Sequence, residues 1–95
     1  PPDGWYKEVL EFVKDMRKGI DEIDLLLTEN KIWIMRTRDV GKISGQEAIE
    51  WGYTGPCLRA AGVGLDLRKA QPYYGYDQLD FDVPVGTSGD VYDRY

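Results

Sequence analysis

PPDGWYKEVLEFVKDMRKGIDEIDLLLTEN, residues 1–30, is the stretch on which the fold turns. Tyr6, Val9, Leu10, Val13, Met16, Ile20, Ile23 and Leu27 recur at steps of three and four. That spacing sets them along one stripe of a 3.6-residue helix. Pro1, Pro2, Asp3 and Gly4 supply a start, with Asp3 able to accept an orphan backbone N–H. Asn30 suits a left-handed stop. Gly19 weakens the middle by about 1 kcal/mol relative to alanine. Trp5 and Phe12 widen the apolar face beyond one stripe, which predicts burial on two sides.

Beyond this helix the pattern shortens. Ile32, Trp33, Ile34 and Met35 fit a buried strand or a short helix equally well, and the expected architecture places a short helix over residues 31–40. Ser44-Gly45-Gln46-Glu47 is a capping-box pattern that opens a two-turn helix through Ala48, Ile49 and Trp51, stopped by Gly52. Gly55-Pro56 reads as a turn that cannot be helix interior. Four glycines between residues 52 and 64 call for unusual backbone angles or close approach there. Leu79, Phe81 and Val83 alternate with Gln78, Asp80 and Asp82, a period of two that predicts a half-buried strand ended by Pro84. Thr87 or Ser88 is expected to cap a last helix carrying Val91, Tyr92 and Tyr95. The fold expected is therefore α+β, mostly helical: a long N-terminal helix, short helices, a small β element near 76–83, and the start of a C-terminal helix near Gly89.

Composition narrows the chemistry. The chain has 95 residues, 42% of them hydrophobic and 13% aromatic, which is too apolar for a wholly disordered segment. With no histidine there is no Ser-His-Asp or Cys-His relay and no imidazole ligand. A single cysteine, Cys57, forms no internal disulfide and no four-cysteine zinc or iron–sulfur site. A net charge of −5 argues against phosphate-backbone binding, so nucleic acid is not an expected partner. No apolar run exceeds four residues, far short of a membrane span. The charge is uneven: residues 1–30 carry −4, residues 31–72 carry +3, and residues 73–95 carry −4. Such a basic middle reads as internal pairing or as a surface for an acidic partner, and pairing is the expectation.

The local constellations read as structural. Gly62-Val63-Gly64 resembles the opening of a dinucleotide loop, but the third glycine position falls on Leu67. Asp77, Asp80 and Asp82 lack the spacing of a calcium loop. Tyr73, Tyr74 and Tyr76 beside Arg68 and Lys69 form a basic-aromatic cluster best read as packing or a protein interface. Arg59, Arg68 and Arg94 each have an acid nearby (Asp66, Asp90, Asp93) and are expected in ion pairs. Cys57 is expected to be a buried, inert thiol. No constellation holds an acid, a base and a nucleophile together, so no catalytic, cofactor-binding or metal-ligating residue is assigned.

Two stretches resemble a known family. WGYTGPCLRAAGVGLDLRKAQPYYGYDQLDFDVPVGTSGDVYDRY (Trp51 to Tyr95) and IDEIDLLLTENKIWIMRTRDVGKISGQEAIEWG (Ile20 to Gly52) are similar to the D-type subunit of NADH-quinone oxidoreductase. That protein is the hydrogenase-derived large subunit of respiratory complex I. The large subunits of membrane-bound hydrogenases and of deazaflavin-dependent dehydrogenases carry similar segments and are the alternative parent; a stand-alone protein-binding module is a third reading.

The resemblance implies a peripheral arm on the cytoplasmic side of the bacterial plasma membrane, or the matrix side in mitochondria. It implies a subunit that helps form the quinone-reduction site, in electron transfer from NADH through iron–sulfur clusters to quinone coupled to proton translocation. Quinone, NADH, FMN and iron–sulfur clusters serve the parent complex; none is expected on this chain. Its expected partners are the other subunits, including the neighbouring iron–sulfur subunit. Residues 1–95 are expected to be an internal fragment of a larger hydrogenase-like domain, inactive by itself and serving as scaffold and contact surface. Arg59, Asp66, Arg68, Asp90 and Arg94 are its expected polar framework, holding the glycine-rich turn against the strand and the terminal helix. The chain departs from the family pattern at Ser88, where many relatives have arginine.

Overall fold

A computed structural model describes all residues, Pro1–Tyr95, and divides them into two compact units, Pro1–Met35 and Arg36–Tyr95. The first unit is dominated by α1 (Trp5–Leu27), the helix expected from the three-four spacing. Its start differs in detail. Gly4, in the left-handed region at φ 87°, is the N-cap, and no side chain caps the helix, so Asp3 does not serve. The Gly4 carbonyl accepts from the Lys7 and Glu8 amides instead. The apolar stripe is present but uncovered. No residue of α1 is buried, and Tyr6, Leu10, Met16, Ile20 and Ile23 all lie exposed.

Asn30 begins the next helix and does not act as a left-handed stop. Its Oδ1 accepts from the Ile32 amide at 2.9 Å and the Trp33 amide at 3.2 Å, opening α2 (Lys31–Thr37). An Asn side chain that satisfies orphan amides favours the cap over the interior. The ambiguous apolar run is thus helical.

In the second unit, α3 (Gly45–Glu50) carries the full capping box. The Ser44 hydroxyl accepts from the Glu47 amide at 3.2 Å, and the Glu47 carboxylate accepts from the Ser44 amide at 3.0 Å. Two helices were not expected: α4 (Gly55–Ala60) and α5 (Leu67–Ala70). Gly55-Pro56 opens α4; proline near the first helical position needs no N–H and arrives with helical φ already set. A 3₁₀ turn covers Tyr76–Gln78 and a final turn, α6, covers Val91–Arg94. Asp90 caps α6; Thr87 and Ser88 do not.

The small β element is absent: the regular structure is all helical, with no strand. Alternation survives as burial only over its second half: Phe81 and Val83 are half-buried while Asp80 and Asp82 are exposed, but Leu79 is exposed as well. A strand also needs a neighbour to exchange ladder hydrogen bonds, and this stretch has none. It runs as a single extended segment.

The buried apolar centre is Ala48, Leu58 and Ala60, where α4 meets α3 and α6. Small side chains let main chain approach main chain. The Ile43 amide donates to the Gly89 carbonyl at 3.0 Å, the Gly89 amide to the Ala60 carbonyl at 2.9 Å, and the Val91 amide to the Val40 carbonyl at 3.0 Å. Gly89 sits at φ +65°, and an added Cβ would overlap the Ile43 carbonyl oxygen.

Candidate functional site

The five framework residues fall into two clusters. In the first, Asp66 caps α5 and accepts from the Arg68 amide at 3.0 Å. Its carboxylate also takes the Arg68 guanidinium in a fork, Nε at 3.0 Å and Nη2 at 2.6 Å. Arg59 comes off α4, and its Nη1 lies 3.5 Å from the same carboxylate. The short α4–α5 connection, through Gly62 at φ +88°, brings the two arginines together. Arg68 side-chain hydrogen bonds pull the Asp66 carboxyl down from its ordinary 3.8 to about 2; burial opposes them, while the Arg68 amide and the charges of Arg68 and Arg59 add to the fall. Arg68 then reaches the extended segment, its guanidinium 4.8 Å from the Phe81 ring centre, and Lys69 sits 4.4 Å from the same ring. Tyr73 and Tyr76 pack edge to face at 5.1 Å beside them.

Above this cluster opens a cleft of about 450 Å³ between α4 and α5, walled by Thr54, Leu65, Leu67 and Tyr73 with Arg59, Asp66 and Arg68 on its polar side.

The second cluster closes the chain end. Asp90, almost fully buried, accepts from the Asp39 amide at 2.7 Å and the Asp93 amide at 2.9 Å. Burial pushes its carboxyl up, but those amides, Lys42 and the Tyr92 amide outweigh burial and leave it lowered. Arg94 pairs with neither Asp90 nor Asp93. Its Nη2 donates to two carbonyls, Gly41 at 2.6 Å and Gly89 at 2.7 Å. Asp93, outside the expected framework, accepts from the Thr87 amide at 2.7 Å and the Ser88 amide at 2.6 Å. The signal that finds it is an acid six residues after the threonine and five after the serine of a Gly-Thr-Ser-Gly loop, the reach of a carboxylate onto consecutive amides.

The first cluster takes in the basic-aromatic group through Arg68, whose guanidinium lies 5.8 Å from the Tyr76 ring centre. Gly62-Val63-Gly64 is the turn after α4. No group of three or more His, Cys, Asp or Glu side chains stands close enough to hold a metal ion. Cys57 is free and exposed on α4, not buried as expected, because the buried face of that helix belongs to Leu58 and Ala60. No helix is long and apolar enough to cross a membrane.

The family model described as the 49 kDa subunit of respiratory-chain NADH dehydrogenase matches residues 1–95. The chain belongs to that family. It is 66% identical over 94 residues to the C/D-type subunit of NADH-quinone oxidoreductase from Bdellovibrio bacteriovorus, a match covering 99% of this chain and 17% of that protein. It is 53% identical over 94 residues to the D-type subunit from a Wolbachia pipientis strain of Culex pipiens, covering 99% of this chain and 24% of the relative. The D-type subunit of Francisella philomiragia is 58% identical over 84 residues, 88% of this chain and 20% of that protein. The chain thus spans about a quarter or less of the curated relatives it matches. These relatives are named as subunits of NADH-quinone oxidoreductase.

Proposed function

We propose that these residues serve as scaffold, and as a contact surface for other subunits, in the complex I protein that helps form the quinone-reduction site, where electrons from NADH pass through iron–sulfur clusters to quinone and drive proton translocation. The observation that carries this reading is the family match over the whole of residues 1–95. The residues present support a scaffold role. One exposed cysteine, no histidine and no three-ligand group do not fit an iron–sulfur cluster. The Asp66 and Asp90 carboxylates, the two best-held acids, are spent on backbone amides and arginine rather than turned toward a substrate. NADH, FMN and the clusters belong to other subunits on this reading, and quinone meets residues of the same polypeptide beyond this stretch. The protein then lies in the peripheral arm, on the cytoplasmic or matrix side, beside the iron–sulfur subunit.

The test is a pair of measurements on the intact complex. A tag on this subunit is expected to recover the iron–sulfur subunit together with NADH:quinone activity. Gly89→Val, which jams the main-chain junction, is expected to lower the amount of assembled complex while leaving turnover per assembled complex unchanged. Recovery of a lone protein, or quinone turnover by the purified 95 residues, defeats the proposal.

A further inference from the structure

We infer that the cleft beside Arg59 seats an Asp or Glu side chain carried by a segment of the same polypeptide outside these 95 residues. The inference deepens the scaffold reading and rests on it. Its starting point is a charge left short of partners. The Arg59 side chain is only 12% exposed, and its Nε is buried with no acceptor. Its one ionic contact, 3.5 Å to Asp66, is to a carboxylate that Arg68 already grips at 2.6 Å. Two guanidiniums against one carboxylate leave the cluster with a net charge of +1. A largely buried cation in that condition is stabilised by a further acceptor. Arginine offers its donors in a planar fork, which fits a carboxylate better than a single carbonyl.

The surroundings select the carrier. Leu65, Leu67 and Tyr73 stand exposed along the cleft, whose volume of about 450 Å³ exceeds a lone carboxylate and suits a side chain with its backbone. A free inorganic anion would leave those apolar walls in water. The matched relatives carry most of their length outside the region this chain covers, since the match spans only 17% to 24% of them. A segment on the same polypeptide arrives at a high effective concentration and stays, as a buried charge requires.

The experiment uses the assembled complex with a photo-cross-linking amino acid in place of Leu67, followed by peptide mapping. The expected cross-link joins this position to a peptide of the same polypeptide that contains Asp or Glu. Arg59→Gln is expected to lower its yield about tenfold at equal protein levels, the effect of losing one charge-assisted hydrogen bond. Changing the captured acid to its amide is expected to do the same, with no further loss in the double variant. Arg59→Lys, which keeps the charge, is expected to retain part of the yield should Arg59→Gln weaken folding. A cross-link to another subunit, to a second copy, or to a peptide without an acid overturns the inference. So do unchanged yields in Arg59→Gln, or phosphate stabilising the wild type without any cross-link. A complex that lacks the iron–sulfur subunit while the expected cross-link forms would defeat the proposed function and leave this inference standing.

Discussion

Single residues decide how the chain end is closed. Gly89 and Gly4 both have positive φ, +65° and +87°, but only Gly89 faces a carbonyl oxygen where a Cβ would go; nothing lies within 4 Å of that position at Gly4. Gly4→Ala is therefore expected to cost about 1–2 kcal/mol, the left-handed penalty alone. Gly89→Ala adds a main-chain collision and is expected to cost about 3 kcal/mol or more. Denaturant midpoints of the intact protein separate the two. Asp66 sets an acid limit. Its folded value of about 2 lies below its ordinary 3.8, so its stabilisation is complete above 3.8 and vanishes as pH falls through about 2. Thermal midpoints of wild type and Asp66→Asn should converge across that window; a constant gap would show that the carboxylate's charge is not the stabilising feature.

At the scale of elements, local chemistry was readable and pairing was not. The capping box at Ser44 and the stripe on α1 each lie within a few residues of one another, so spacing alone reveals them. Asn30 was legible as a helix signal, though its oxygen serves the following helix. Asn30→Ala is expected to cost about 1 kcal/mol and to shorten α2, read as faster amide exchange at Ile32 and Trp33. The alternation from Leu79 to Val83 was equally clear, yet a strand is a property of two segments, and the second one does not exist here. Gly55-Pro56 conceals α4 because the same pair signals a break and, with proline near the first helical position, a helix start. In the candidate site, Asp66 and Arg68 are two residues apart and could be read together. Arg94 could not be matched to the Gly41 carbonyl, the more distant of its two acceptors, because that group is 53 residues away and any residue can supply a carbonyl.

On the scale of the molecule, the two units differ in what holds them. The first has no buried residue in its 23-residue helix, while the second encloses Ala48, Leu58, Ala60 and Asp90. Hydrogen exchange on the isolated chain is expected to exhaust the amides of residues 5–27 before those of Gly89 and Val91, which tie loops together. Equal protection in the two regions would contradict that difference. The junction around Gly89 has a consequence for how the protein tolerates change. Apart from Asp90, Asp93 and Arg94, most side chains nearby are spectators, while the absence of a side chain is obligatory at three points. Gly86 and Gly45 are the others, since a Cβ would sit 2.8 Å from the Ala60 carbonyl oxygen at the first and 2.9 Å from that of Ala61 at the second. A saturation library read by growth should thus go blank at 45, 86 and 89 and stay populated at Val40 and Ile43. Position 88 falls among the permissive ones: Asp93 holds its amide and leaves the side chain unclaimed, so the closure does not depend on what that side chain is.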